Sequence, residues 1–365
     1  MNRITPNQAS SLSNKRKSRR SVSQSQWARE IRLNNAADDA TIPLDLRMKL
    51  LCQFGSFSLA YSTAVQPLLR FFGDDMGYIA FRSRWGTPFV LGDPVAAPDR
   101  IGNLLDAFIQ KYPRAAFCQI SQPVAEHLAQ QKFWINEFGV DTGIPLKSYT
   151  FDGKEKEWLR YAFNWVNRRG YQVVEADFDT INPEEVEQIS EDWRKTRTVK
   201  SKEVRFLNRP IMLEQETDVR RFFLMDPGGK IESFIFLDPL YRDRQIFGYV
   251  TTFKRRHPRG SQYGEQALMK AIIDQLKSES VTELRLGFSP CAWIADSHFN
   301  HSRFTRKLFT TIFNSRLSNR WAYNLQGHAA YKRRFRGEEE KVYFASRSWF
   351  SFKQLSALVG LCGIA

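Results

Sequence analysis

Apolar and polar positions along the chain alternate between strand-like and helix-like segments. A helical pattern covers residues 42–72, and the runs that follow, such as GYIAFRSRW and AAFCQIS, have the aromatic and β-branched character of strands. The order predicted for this half is β-β-α-β-α-β. Its strands are expected at 77–85, 87–95, 115–121, 135–140 and 143–146, and its helices near 101–111 and 123–131.

The second half of the chain follows a similar order. Helices are predicted at 153–169 and 183–197, with a strand at 171–175 between them. Three apolar runs separated by hairpin turns come next, RRFFLMD, IESFIFLD and QIFGYVTTF, followed by an amphipathic helix and a strand at 283–288. Two such units predict an α/β (α+β) class, with a tandem GNAT-like acyltransferase fold of two mixed or antiparallel sheets flanked by helices.

Four segments are expected along the chain. Residues 1–26 are polar and basic without periodicity, which predicts a disordered tail. Residues 27–152 are expected to form an N-terminal GNAT-like domain, and residues 153–348 a C-terminal catalytic one. Residues 349–365 form an apolar tail, too short to span a bilayer. Three placements stay open for the last part of this tail, residues 355–365: on a membrane surface, docked on the domain, or frayed.

The net charge of the chain limits the kind of partner that it is expected to bind. The chain carries 54 Lys and Arg against 39 Asp and Glu, a formal net charge of +15. Removing the five cations of the N-terminal tail still leaves about +10, so the folded part is basic in its own right. A bias of this size predicts a polyanionic partner, either a nucleic acid or an anionic membrane surface.

Other sequence features exclude several classes of protein. No run of about 18 apolar residues occurs, and the N-terminus has no apolar signal-peptide core. These features predict a cytoplasmic protein, with a peripheral position at the inner membrane face left open. The four cysteines, Cys52, Cys118, Cys291 and Cys362, are scattered without metal-ligand spacing, so we expect reduced thiols and no metal.

A basic loop before the amphipathic helix of the second half is a candidate anion site. Lys254, Arg255, Arg256 and Arg259 lie there, followed by Gly260 and Gly264. Because unpaired N–H groups at a helix start attract anions, this arrangement predicts a bound phosphate near residues 260–264. Solvated cations on a surface loop are the alternative.

Several short motifs, taken together, resemble the C-terminal catalytic domain of phosphatidylglycerol lysyltransferases, also called multiple peptide resistance factors. Residues 153–171 match the pattern G-K-x(4)-L-R-x(3)-N-x(5)-G-Y. The resemblance covers roughly residues 77–343. Its other matches are Gly92-Asp93-Pro94-Val95, Gly139, Trp193, Lys202-Glu203-x-x-Phe206, Leu286-Gly287-x-x-Pro290 and Lys332-x-Arg334-Phe335 with Glu340 and Tyr343.

This resemblance implies a tandem acetyltransferase-like enzyme that transfers an aminoacyl group from a charged tRNA to an acceptor hydroxyl, in that family a lipid headgroup. The family's long membrane-embedded half is not present in this sequence. We therefore expect an acceptor that arrives from the membrane surface, or a soluble acceptor. Aminoacyl-tRNA and an anionic phospholipid are the expected partners, without a further cofactor.

The sequence departs from the family pattern at positions close to the substrate. Where the family has an Asp and an Arg three residues apart, this chain has Thr251 and Lys254. Lysine keeps the positive charge but loses bidentate geometry, and threonine has no carboxylate. In the closing motif Arg334 replaces a lysine, and Gly337 and Glu339 replace Pro and Trp. The transferred amino acid and the use of tRNA are the properties that these changes affect.

An aminoacyl ester is already activated, so its transfer needs a positioned hydroxyl, a route for its proton and cations near the developing oxyanion. Lys332 and Arg334 are the candidates for the electrostatic part, with a solvated basic strand edge as the alternative. Glu340 and Glu203 are candidates for holding an α-amino group or accepting a proton. Glu340 also belongs to an acidic run of three, which is typical of an exposed segment.

The remaining candidates bind substrate. Thr251 and Lys254 are assigned to binding, and Ser289 at a strand end to hydrogen bonding with a carbonyl oxygen, with a plain turn serine as its alternative. Arg259 and Gly260 would hold the pyrophosphate of CoA if the chain is instead a CoA-dependent acyltransferase. A third hypothesis is a non-catalytic lipid- or RNA-binding relative. The aromatic residues of the 153–169 helix are interpreted as core rather than as a base-stacking surface.

Overall fold

Strands from both halves of the chain join in one twelve-stranded sheet in the computed structural model, which describes residues 42–196, 205–322 and 324–363. The strands are β1 Arg70–Asp74, β2 Gly77–Arg84, β3 Thr87–Leu91, β4 Val95–Ala96, β5 Ala116–Ile120, β6 Trp134–Pro145, β7 Gln172–Glu175, β8 Arg220–Met225, β9 Ile231–Arg242, β10 Gln245–Arg256, β11 Glu283–Pro290 and β12 Glu338–Ser346. Their order is β1-β2-β3-β5-β12-β6-β11-β10-β9-β8-β7, with β4 beside β2.

Helices cover both faces of this sheet. Those in the described residues are α1 Leu44–Phe54, α2 Ala60–Val65, α3 Pro98–Lys111, α4 Gln122–Gln130, α5 Glu157–Asn167, α6 Pro183–Lys195, α7 Gly264–Ser278, α8 Arg303–Asn314, α9 Leu325–Arg333 and α10 Phe352–Leu361. Each buries an apolar stripe against the strands, as Leu268, Ile272 and Leu276 of α7 do. No helix within the described ranges is long and apolar enough to cross a membrane.

The seam between the two halves is β6. It pairs antiparallel with β11 from Gly139 to Pro145 and antiparallel with β12 from Trp134 to Gly143. Its other neighbour, β12, is the last strand of the chain and also pairs with β5. The last strand therefore lies between two strands of the first half.

Several expectations change at this seam. The fold class is confirmed, but the two expected sheets are continuous with each other. The strands predicted at 135–140 and 143–146 are one strand, β6, because its glycines fit between neighbouring backbones: a Cβ on Gly139 would lie 2.2 Å from the Ser289 carbonyl oxygen. The predicted domain boundary near residue 152 stays a prediction.

The apolar C-terminal segment docks on the folded part of the chain. Leu355, Leu358 and Leu361 of α10 are buried in a core cluster that also contains Leu91 and Phe344. The carbonyl of Cys362, just after the helix, accepts a hydrogen bond of 3.0 Å from the Arg205 amide. Of the three placements open for this segment, the structure therefore has the docked one.

A buried ion-pair network fixes the irregular segment 205–219 to the sheet. Arg209, fully buried, makes a bidentate contact with Asp238 of β9 at 2.6 and 3.0 Å and donates to Glu216 at 2.6 Å. Arg221 of β8, equally buried, donates to Asp177 at 2.9 Å. Buried charges of this kind depend on their partners, since an uncompensated charge in the interior is costly.

Replacing Arg209 by methionine should lower the free energy of unfolding by about 3–5 kcal/mol, because Asp238 would remain buried without its counter-charge. Urea denaturation followed by circular dichroism measures the change. The exposed Arg114 is the matched control, and Arg114→Met should stay within about 0.5 kcal/mol of the parent. Equal losses in the two variants would show that the network contributes nothing specific.

Candidate functional site

An opening between two parallel strands forms the centre of the candidate site. β10 and β11 pair only from Gly248 to Val250, opposite Glu283 to Arg285. Beyond that point β10 follows β9, and β11 follows β6, so the two strands separate. The Thr251 hydroxyl donates to the Leu286 carbonyl at 3.2 Å where the separation begins. Main-chain groups inside such an opening are available to a side chain or a ligand.

Lys332 enters this opening from the last turn of α9. Its side chain is only 4% exposed, and its Nζ donates to the carbonyls of Gly287 at 2.7 Å and Phe288 at 2.8 Å. Burial lowers the pKa of Lys332 to about 7, although the negative charge of Asp141 acts in the opposite direction. The positive charge of Lys254 lowers this pKa further. A lysine in this state exchanges a proton near neutral pH.

Gly287 has a left-handed backbone conformation beside this amine, and this conformation rather than a lack of space favours glycine. Its φ is +77°, and a Cβ at this position would lie 3.7 Å from the Thr251 carbonyl oxygen and 3.8 Å from Lys332 Nζ. The left-handed backbone turns the carbonyls of residues 287 and 288 toward the lysine. The Gly-x-x-Pro motif therefore has a local structural reason.

Unpartnered polar atoms surround the same strands. Ser289 Oγ, Asp141 Oδ1 and Thr142 Oγ1 are buried and have no hydrogen-bond partner within the described residues. Asp141 lies opposite Phe288 and Thr142 opposite Gly287 in the β6–β11 register. Burial raises the pKa of Asp141, and the guanidinium of Arg285 opposes that rise. Buried polar atoms without partners are typical of a site that receives ligand atoms.

Tyr331 lies between two cations, Lys254 and Arg334. Lys254 Nζ lies 3.1 Å from the centroid of its ring. Burial raises the pKa of the Tyr331 phenol, and the positive charge of nearby Arg334 opposes this. Its hydroxyl is buried without a partner among the described residues. Two positive charges therefore lie beside Tyr331, and one of them, Arg334, is exposed.

The closing Lys-Arg-Arg-Phe motif is helical, so its interpretation as a strand edge was wrong. Lys332 lies in the last turn of α9, which ends at Arg333, and Arg334 is its C-cap. Because residues one and two apart on a helix point in different directions, Lys332 is buried and Arg334 faces solvent. The two are not equivalent phosphate ligands.

Glu340 lies in a neighbouring depression of about 270 Å³ between β12 and the start of β11. It pairs with Arg285 at 2.9 Å, and Arg285 also contacts Glu283 at 2.9 Å and Asp141 at 3.9 Å. Its link with Lys332 is therefore indirect, through Arg285 and Asp141. Glu203 lies outside the described residues.

The anion-binding site expected at the start of α7 is occupied by the protein's own Glu232 carboxylate. Glu232 accepts from the Ser261 amide at 2.9 Å, and a Cβ on Gly260 or Gly264 would meet the Glu232 side chain at 2.7 or 2.9 Å. The glycines are small because this side chain packs against them. Arg259 is exposed in the same loop, so the loop offers a surface cation next to an occupied helix start.

Aromatic rings cover the outside of this loop. The Tyr263 ring lies 5.0 Å from Trp158, 5.4 Å from Tyr161 and 5.0 Å from Trp165, centroid to centroid. The interpretation of the α5 aromatics as core was wrong for two of them, since Trp158 is 39% and Tyr161 51% exposed. The buried face of α5 consists of Leu159, Ala162 and Val166.

Sequence reasoning missed Asp141, Tyr331 and Arg285. Asp141 had a signal, because a carboxylate inside the run FGVDTGI interrupts a strand whose other side chains are apolar or small. Tyr331 directly precedes a motif residue, but nothing in the spacing shows that its ring meets Lys254. Their positions follow from pairing between distant strands.

The arrangement of the sheet and its flanking helices, with two parallel strands that separate, defines a tandem GNAT-like fold. The family model described as "Phosphatidylglycerol lysyltransferase, C-terminal" matches residues 49–346. The chain belongs to this family, as the motifs in the sequence indicated.

Curated relatives of the chain are named phosphatidylglycerol lysyltransferase. The protein from Staphylococcus xylosus is 28% identical over 122 residues, which cover 32% of this chain and 14% of the relative. The protein from Staphylococcus epidermidis is 25% identical over 178 residues, covering 46% of this chain and 20% of the relative. The matched part of the chain thus spans a fifth or less of these relatives' length.

Solved structures agree on the fold. L-PGS from Bacillus licheniformis superimposes with a TM-score of 0.74 at 20% identity, covering 90% of this chain and 99% of that one. The C-terminal domain of a putative lysylphosphatidylglycerol synthetase from Agrobacterium fabrum gives 0.71 at 19% identity, covering 88% and 98%. FemX gives 0.54 at 10% identity, covering 87% and 99%.

Lys332 should titrate near pH 7, because burial disfavours its charged form. The ε-carbon signals of ¹³C-labelled lysines, followed by NMR from pH 5 to 11, measure each midpoint. The Lys332 signal is assigned by its absence from Lys332→Met, and a free lysine side chain in water, titrating at about 10.4, is the reference. A Lys332 midpoint above 9 would contradict the burial argument.

The same titration has a definite effect on stability. Between pH 7 and the unfolded value of 10.5, the unfolded chain keeps a proton on Lys332 that the native state has lost. Stability relative to Lys332→Met should therefore rise with pH in that interval, with a limiting slope of about 1.4 kcal/mol per pH unit. Urea denaturation of both proteins at several pH values tests this, and a flat or falling difference would oppose it.

Proposed function

We propose that this protein transfers an aminoacyl group from a charged tRNA to the hydroxyl of a lipid headgroup, or a comparable acceptor, at the cytoplasmic face of the membrane. The observation that carries the proposal is Lys332, a buried amine with a pKa of about 7 inside the strand opening. Family membership and the formal charge of +15, which suits two polyanionic substrates, support it.

The chemistry follows from the hydrogen bonds of the amine. A neutral Lys332 amine has two N–H groups, and the two carbonyls of Gly287 and Phe288 accept both. Its lone pair is then free to take the proton of the acceptor hydroxyl. The hydroxyl oxygen attacks the ester carbonyl, a new ester bond forms, and the bond to the tRNA ribose oxygen breaks. The proton passes from Lys332 to that ribose oxygen, which restores the neutral amine.

The surrounding groups suit the other needs of this reaction. Asp141, buried with an unpartnered oxygen, is suited to an α-amino group, whose ammonium would complete its hydrogen bonding. Ser289 and Tyr331 each offer a buried hydroxyl as a donor to the developing oxyanion. Lys254 and Arg334 beside Tyr331 supply positive charge for a phosphate. Glu340 and Thr251 keep indirect roles, through Arg285 and through the strand opening.

A CoA-dependent reaction is the alternative that the sequence left open, and one contact disfavours it. A CoA pyrophosphate at the start of α7 would meet the Glu232 carboxylate, which already accepts a hydrogen bond from the Ser261 amide. Two anions at one helix start repel each other. The third hypothesis is a non-catalytic binding protein, and such a protein does not need a lysine whose pKa is lowered to about 7.

Lys332→Met should reduce transfer by at least about 10²-fold, since it removes the proposed proton acceptor. The assay uses radiolabelled aminoacyl-tRNAs with phosphatidylglycerol and follows label in the lipid extract. For the parent enzyme, the rate at low substrate should rise with pH through about 7 and then level off. The residual rate of Lys332→Met should not show this rise with pH.

Lys49→Met, at an exposed position on α1, is the matched control and should keep full activity. RNase treatment of the aminoacyl-tRNA before the reaction should prevent labelling of the lipid. Undiminished transfer by Lys332→Met would remove the assignment of the lysine, and label that survives RNase would remove tRNA as the donor.

Acetyl-CoA should leave the melting temperature of the parent protein unchanged at a roughly millimolar concentration, because only a ligand that binds the native state raises it. Pyrophosphate should bind Glu232→Gln more tightly than the parent, since the variant keeps the shape of the side chain without its charge. Stabilisation of the parent by several degrees would instead favour the CoA-dependent reaction.

A further inference from the structure

Three aromatic side chains project into solvent just after β12. Trp349 is 62%, Phe350 51% and Phe352 56% exposed, and we call these three residues the aromatic corner. The rings are contiguous: the Phe350 centroid lies 5.7 Å from that of Trp349 and 6.4 Å from that of Phe352. Phe304 of α8 extends the group, 4.5 Å from Phe350. An exposed aromatic surface of this kind marks an interaction site.

Buried hydrogen bonds hold the aromatic corner in this position. Ser302, the N-cap of α8, donates to the Trp349 carbonyl, and the Thr305 hydroxyl lies 2.8 Å from that of Ser351. All three of these Ser and Thr side chains are at most 2% exposed. The segment is thus fixed on both sides, and the outward direction of the rings is built into the fold.

Cations flank the aromatic corner. Arg303, Arg306 and Lys307 line a shallow groove on α8, next to Phe304, and the exposed Lys353 follows Phe352. Asp296 pairs with Arg306, so that charge is partly compensated. Residues 297–365 contain twelve Lys and Arg residues and only three acidic ones, Glu338, Glu339 and Glu340. The field around the corner is positive.

We propose that the aromatic corner inserts into the headgroup layer of an anionic bilayer while the α8 cations bind the lipid phosphates. Trp and Phe favour the membrane interface, and each nearby Lys or Arg adds attraction to anionic lipid. The inner face of α10 is already buried in the core, so the helix anchors the corner to the domain. The inference rests on the proposed function in taking the acceptor to be a membrane lipid.

Packed core side chains connect this surface with the proposed reaction centre. Phe309 of α8 packs on Phe138 at 5.1 Å, and Phe138 packs on Phe288 at 5.1 Å. The Phe288 carbonyl is one of the two that accept from Lys332. Two ring contacts therefore connect the cationic helix with the proposed reaction centre. The family model ends at residue 346, so the aromatic corner lies beyond the matched residues.

Flotation with vesicles tests the surface directly. The full chain should float with phosphatidylglycerol/phosphatidylcholine vesicles, and Trp349→Ser/Phe350→Ser/Phe352→Ser should lose at least about tenfold in affinity. Arg303→Glu/Lys307→Glu should lose a similar factor on these vesicles. Because all five side chains are exposed, the variants should keep the parent's melting temperature.

Matched controls are available elsewhere on the surface. Trp85→Ser removes a tryptophan of similar exposure, 56%, from the β2–β3 turn, and Arg114→Glu/Lys147→Glu reverses two exposed cations. Both should bind vesicles as the parent does. With brominated lipid, the parent's tryptophan fluorescence should be quenched, and Trp349→Phe should lose most of that quenching.

Transfer assays separate this inference from the proposed function. With phosphatidylglycerol in detergent micelles the triple serine variant should react normally, whereas with vesicles its rate should fall along with its binding. A protein that floats through the aromatic corner but transfers nothing would overturn the function and keep the surface. Vesicle binding by the triple variant equal to that of the parent would overturn the surface, as would a protein partner that occupies the corner while the vesicles do not.

Discussion

Main-chain pairing on both sides of β6 is the constraint on which the rest of the structure depends. This strand bonds β11 along one edge and β12 along the other, and residues 139–143 pair in both directions. The halves of the chain consequently share one sheet and cannot shift against each other without breaking both ladders. The carbonyls of residues 287 and 288, next to this seam, therefore stand at fixed positions when Lys332 reaches them.

The proposed role of Lys332 and the stability of the fold oppose each other at this point. A shift of the Lys332 pKa from 10.5 to about 7 represents several kcal/mol of disfavoured charging. That strain is tolerated because the surrounding sheet is extensively paired and because other buried charges, such as Arg209 with Asp238, are compensated. Some of the buried polar atoms without partners in the described residues, on Asp141, Thr142 and Ser289, lie on β6 and β11, where substrate atoms could complete their hydrogen bonds.

The sequence predicted the fold class and most elements up to β11, because period-two and helical patterns survive in α7, β8 and β9, whereas α8, α9 and β12 were not predicted. The family was indicated by the resemblance of its short motifs. The sequence also assigned Lys332, Lys254 and Thr251 to one candidate site. In the structure these three residues lie around the same opening between β10 and β11. The sequence could not predict that Glu232 fills the start of α7, since the contact joins residues about thirty apart through a strand and a loop. The helical form of the Lys332 motif was missed for a related reason: its short run of cations carries little periodicity.

The insertion of β12 has a consequence for biosynthesis. β5 and β6 of the first half are separated by the width of one strand. This position is filled by β12, which starts at Glu338. A chain emerging from the ribosome must keep both strand edges unpaired until residues 338–346 have been translated. Exposed edges invite mispairing, so the first half cannot complete its sheet before that strand is available. Deleting residues 338–346 would deprive the earlier half of its closing strand.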